Sequence, residues 1–189
     1  MKLSALVQRV NDYALNPEYR DDAVGLRCCQ LALKALQCGN YGVAAVLLDA
    51  SGNVLVEAHN QVFSEQFCSA GHAEMRIIDT YEADFRNQYP ADQLKLLVSL
   101  EPCPMCLSRL LLSGVGLIKY MVDDPAGGMV SRISDMPPAW RNLASMQTFY
   151  HAHISNELRQ LAFDLSQHEL DHLRAKLMSQ RGLRTTTGH

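Results

Sequence analysis

Two apolar runs of strand length, Leu94 to Leu100 and Val115 to Val122, flank a stretch from Pro102 to Leu112 that reads as a helix. A helix between two strands returns the second strand parallel to the first, which commits the chain to an α/β sheet covered on both faces. Upstream, the continuously apolar Val43 to Leu48, the turn Asp49-Ala50-Ser51-Gly52-Asn53 and the run Val54 to Ala58 read as a buried strand and its hairpin partner. Helical spacing marks residues 2–15, Asp21 to Cys38 with Gly39 as its C-cap, His72 to about Phe85, and Ile154 to about Gln180. Met146 to His151 supplies a last strand. Pro125 to Trp140 lacks periodicity, and its Gly127-Gly128 and Pro137-Pro138 mark a structured loop. No repeat or linker interrupts this order. The expectation is one domain over residues 1–189, with a core at about 21–150, a helical extension at about 154–180 and a frayed tail from Arg184 to His189.

The 48% hydrophobic and 20% charged content of the 189 residues fits a single globular domain and excludes a disordered or fibrous chain. Lys+Arg 17 against Asp+Glu 20 gives a net charge of -3, which disfavours a nucleic-acid or membrane partner unless a local patch supplies the contact. Arg174, Lys176, Arg181 and Arg184 form the one basic cluster, and its plain reading is a solvated tail. No apolar run reaches membrane length, and the N-terminus meets Gln8-Arg9 before it builds a signal-peptide core. The expected location is cytoplasmic, so the six cysteines read as thiols or metal ligands. Cys28, Cys29 and Cys38 lie on or beside the helix at 21–38 and read as small buried hydrophobes.

The chemistry concentrates in His72-Ala73-Glu74 and in Pro102-Cys103-Pro104-Met105-Cys106, each at the start of an expected helix. Cysteines three apart on a first helical turn point to one side, so both thiolates reach one tetrahedral Zn²⁺, with His72 as third ligand and a fourth position left for water. Two thiolates cancel the charge of the ion. The positive ends of two helices offset part of that loss and let the water ionise near neutral pH. Glu74, two positions from a ligand, stands over the water without binding the metal and can shuttle its proton to a ring nitrogen and a departing amine. H-x-E with P-C-x-x-C is the signature of zinc nucleobase deaminases, and it is complete here.

On these residues the chain resembles the cytidine deaminase-like superfamily, in particular the branch of guanine deaminases and tRNA adenosine deaminases, whose metal segment Glu-Pro-Cys-x-Met-Cys is matched by Glu101-Pro102-Cys103-Pro104-Met105-Cys106. The resemblance covers about residues 21–123. It implies a three-layer α/β/α sandwich on a mixed five-stranded sheet, a catalytic zinc, Glu74 as proton shuttle, and a homodimer whose partner borders the site. Asn60 matches a family asparagine that holds the base or its sugar. Guanine deaminases use an additional acid after the fourth strand, and among Asp123, Asp124 and Asp135 the choice falls on Asp135, beside the plainer reading of a turn-capping residue. The chain departs from the family at Tyr41-Gly42-Val43-Ala44-Ala45, where Pro-Phe-Gly-Ala is usual, and in a loop before His72 that is one residue longer.

The expected function is hydrolytic removal of the exocyclic amine of a nucleobase or nucleoside, first a guanine-type free purine. Deamination of tRNA adenosine, cytosine or cytidine are the alternatives. A non-enzyme rival closes the zinc with Cys68, His72, Cys103 and Cys106 as a structural staple of a binding module. His168-Glu169-Leu170-Asp171-His172 fits H-E-x-x-H but lacks the downstream glycine and third histidine of a metalloprotease, so it reads as a solvated helix. Glu101 either orients the leaving amine or marks a helix entrance, and Trp140 is either a stacking or a packing residue.

Overall fold

The computed structural model describes residues 1–181. Five strands, β1 (Ala44–Leu48), β2 (Val54–His59), β3 (Lys95–Val98), β4 (Leu117–Tyr120) and β5 (Thr148–His151), form one sheet in the order β2-β1-β3-β4-β5. β1 pairs antiparallel with β2 and β3, while β3, β4 and β5 run parallel, so the sheet is mixed. The central strands β1 and β3 are almost wholly buried, which is why they read as continuous apolar runs. At the edge, β5 is mostly exposed.

Helices α1 (Leu3–Asp12), α2 (Asp22–Gln37) and α6 (Asn156–Gln167) cover one face, and α3 (Ala73–Thr80) and α4 (Pro104–Ser113) cover the other. The three-layer sandwich is thus present. Gly25 sits inside α2, where glycine ordinarily costs about 1 kcal/mol relative to alanine. A Cβ there would lie 2.9 Å from Leu158 Cδ2 and 3.1 Å from Ile154 Cγ2, so the glycine lets α2 and α6 pack against each other. Asp22 ties the same pair at its base. It is 1% exposed and accepts the Tyr13 hydroxyl at 2.7 Å and the Asn16 and Ser155 N–H groups at 3.0 Å each. Burial pushes its pKa up, but these hydrogen bonds outweigh burial and hold the carboxyl below its usual value.

Three stretches differ from the sequence expectation. The helix expected from His72 to Phe85 is α3 followed by a single π-helical turn over Tyr81–Phe85. The aperiodic Pro125 to Trp140 region holds a 3₁₀ turn at Val130–Asp135 and runs into α5 (Pro138–Ala144), which packs on α4. The helix expected over 154–180 is two, α6 and α7 (Leu170–Gln180), because Glu169 adopts φ 51 and breaks the ladder between them. No described helix is long and apolar enough to cross a membrane. The tail from Arg184 to His189 lies outside the described residues.

Candidate active site

His72 and Cys103 each occupy the extended position just before a helix, at the N-termini of α3 and α4, and Pro104 opens α4 where its missing N–H costs nothing. Both helices start at the same edge of the sheet, so residues 31 apart in sequence meet there. His72 Nδ1 lies 3.7 Å from Cys103 Sγ and 3.5 Å from Cys106 Sγ. A tetrahedral zinc with Zn–S of about 2.3 Å and Zn–N of about 2.1 Å sets sulfur and nitrogen ligands about 3.6 Å apart. Both nitrogen–sulfur distances therefore match a tetrahedral Zn²⁺, the three donor atoms lie within 4.8 Å of one another, and Nδ1 is the imidazole nitrogen turned to the cysteines. Cys68 is exposed in the loop after β2 and is not one of the group, so the described geometry does not assemble the closed four-ligand site.

The two thiols differ. Hydrogen bonds with Cys106 and His72 pull Cys103 down to about 4, while the neighbouring Cys103 and burial push Cys106 well up. Glu74, on the first turn of α3, is 4% exposed, and its Oε2 has no hydrogen-bond partner among the described residues. Burial, aided by Cys103, pushes its pKa above the usual carboxylate value. An unpartnered buried carboxylate oxygen is costly unless something else occupies it. Glu74 lines a cavity of about 640 Å³ together with His72, Cys103 and Asn60.

This arrangement sits inside a recognisable segment. Residues 19–122 match the family described as the cytidine and deoxycytidylate deaminase zinc-binding region. The chain belongs to that family. Members similar to this deaminase-family chain include the tRNA-specific adenosine deaminase of Bacillus subtilis, 37% identical over 97 residues, which are 51% of this chain and 58% of the relative. A tRNA(Ile)-lysidine synthase of Deinococcus radiodurans is 33% identical over 106 residues, 56% of this chain but 18% of the relative. The match thus spans under two thirds of either relative's length. Among solved structures, a guanine deaminase from Nitrosomonas europaea superposes with a TM-score of 0.60 at 21% identity, covering 86% of this chain and 92% of that one, a likeness of fold.

Around the family motif the remaining sequence candidates are placed unevenly. Asn60 is 2% exposed on the cavity wall, and its Oδ1 accepts the Val62 N–H at 3.1 Å, which leaves its amide N–H₂ as the group free to donate. Asp123 and Asp124 line the cavity, whereas Asp135 is exposed on the 3₁₀ turn beside Ser134 and is not among the lining residues. An irregular segment gives no period from which to tell which of its acids faces inward. Trp140 packs with Met136 and Leu143 against α4, away from the cavity. His168 and His172 fall on either side of the Glu169 break, so they do not share one helical face.

The wall opposite the family segment was not foreseen. Phe163 and Gln167 of α6 and Leu170, Arg174 and Leu177 of α7 all line the cavity. The signal was present in part: Leu158, Leu161, Ala162 and Leu165 form the buried stripe of α6, and Phe163 stands off it, 40% exposed. Arg174 is the cationic side chain of this wall. Among the described residues it forms no ion pair.

Proposed function

We propose that this protein is a zinc-dependent hydrolytic deaminase that replaces the exocyclic amine of a nucleobase or nucleoside by a carbonyl, releasing ammonia. The observation that carries the reading is the unpartnered buried oxygen of Glu74 beside the His72, Cys103 and Cys106 donor set, with His72, Glu74 and Cys103 lining one cavity. Zinc held by those three residues supplies a Lewis-acidic charge that makes water nucleophilic at neutral pH. Glu74 takes a proton from the attacking water and passes it to the ring nitrogen. It then takes the hydroxyl proton of the tetrahedral adduct on the ring carbon and passes it to the amine, which leaves as ammonia as the C–N bond breaks and the carbonyl forms. Asn60 donates its amide N–H₂ to an acceptor on the ring, and Phe163 offers a face for stacking.

A guanine-type free purine is the first substrate. Supporting this are the Glu-Pro-Cys-Pro-Met-Cys segment, the net charge of -3, and a cavity walled by the chain's own α6 and α7, which suits a small ring. Arg174 on that wall favours a second reading, an adenosine within RNA, because it brings one member of the C-terminal basic cluster to the site. Ammonia release from guanine, adenine, cytosine, their nucleosides and an anticodon stem-loop, each at low and high salt, separates the two. Salt-independent turnover of guanine supports the first. Turnover of the stem-loop alone, falling steeply with salt, replaces it by the second.

A further inference from the structure

We infer that Glu101 is a positioning residue that staples segment 123–131 into place as one wall of the cavity, and that it takes no part in proton transfer to substrate. Glu101 is 3% exposed and itself lines the cavity, next to the segment it holds. Its Oε2 accepts the Asp124 N–H at 3.0 Å and its Oε1 accepts the Ser131 N–H at 2.8 Å. One side chain thus holds both ends of the segment from beneath, and each oxygen already has a main-chain partner.

The segment between the two anchor points is folded to suit. Asp124 Oδ1 accepts the Ala126 and Gly127 N–H groups at 3.2 and 3.0 Å, and the Gly128 N–H donates to the Asp124 carbonyl at 2.7 Å. The Met129 N–H donates to the Pro102 carbonyl at 2.9 Å, which ties the far end of the turn to the residue between Glu101 and Cys103. At Gly128 a Cβ would lie 2.1 Å from Glu101 Oε2 and 2.8 Å from the Asp124 carbonyl oxygen, so the backbone passes over the carboxylate at a distance that glycine alone permits. The held turn presents Asp123, Asp124, Pro125, Ala126 and Gly127 to the cavity. The two N–H groups sit against different oxygens of the carboxylate, so a glutamine would satisfy one and set its own N–H₂ against the other.

This inference rests on the proposed deaminase reading for its kinetic readout but not for its structural one. The test is Glu101→Gln on the zinc-loaded full chain, read by peptide-resolved hydrogen exchange, by zinc content and by steady-state kinetics. The expected result is faster exchange confined to the amides of 123–131, unchanged zinc, a KM raised by about tenfold and a kcat within about threefold of wild type. Unchanged exchange in that segment overturns the inference, as does a kcat lowered about a hundredfold or more at constant KM with a shifted pH profile. Gly128→Ala keeps the carboxylate and displaces the turn from it. It is expected to reproduce the exchange and KM changes, and it carries the test if Glu101→Gln fails to fold; a Gly128→Ala protein with wild-type exchange overturns the inference. If no substrate turns over even in wild type, the deaminase reading fails while the exchange experiment still decides the staple.

Discussion

His72, Glu74, Cys103 and Cys106 stand at the N-terminal ends of α3 and α4, packed against the sheet, whereas Phe163, Gln167 and Arg174 of α6 and α7 line the cavity that His72, Glu74 and Cys103 also line. The first set lies within the family-matched residues 19–122 and the second lies beyond them. Glu74 and Cys106 are 4% and 0% exposed, and Phe163 is 40% exposed. In this floor of the site, Glu74 and Cys106 are anchored in the core and His72 and Cys103 are half-buried at its margin, a setting that restrains their geometry. The wall is anchored differently. The N-terminus of α6 is tied through Ser155 to Asp22, and α7 docks through a small cluster of Leu173 and Leu177 on Tyr41, Val62 and Phe63. On the proposed reading, the reacting groups lie on the family-matched frame, and α6 and α7 line the cavity from outside it.

That contrast can be broken first at the anchor of α6. Asp22→Asn is expected to lower unfolding stability by about 1–3 kcal/mol at neutral pH, measured by urea titration, because a buried network loses its charged acceptor. Because the folded-state pKa of Asp22 is depressed, its contribution is present above the unfolded carboxylate value of about 4 and disappears as pH falls through the folded one. Wild type is therefore expected to lose more stability than the variant between neutral pH and pH of about 3. Equal acid losses would remove Asp22 as the anchor. A smaller effect is expected at the wall itself. Phe163→Ala removes a half-exposed stacking face and is expected to raise KM by about tenfold with kcat and melting temperature nearly unchanged. A kcat loss of similar size would mean that floor and wall are not separable.

The floor was legible in the sequence because its information is local. His72 and Glu74 are two apart and Cys103 and Cys106 three apart at helix starts, and the two apolar strand runs dictate where those starts lie. The metal-facing Nδ1 of His72 and the pairing of Glu101 with two distant N–H groups were not, since both depend on how the chain returns in space. The wall was hidden by one residue. Neither Gly nor Pro marks the break at Glu169, so the helical period runs on and conceals the turn that brings Leu170 and Arg174 back over the site. Asp135 was the expected inward acid, but the 3₁₀ turn leaves it in solvent while Asp123 and Asp124 face the cavity.

The most direct test of the account is zinc content and ammonia release measured side by side on wild type, Glu74→Gln and Cys103→Ala with the best substrate of the panel. Glu74→Gln is expected to retain stoichiometric zinc and to lose about 10²- to 10⁴-fold in rate, and Cys103→Ala to lose zinc, rate and thermal stability together. A Glu74→Gln protein that binds zinc and turns over as fast as wild type would contradict the assignment of Glu74 and, with it, the proposed chemistry.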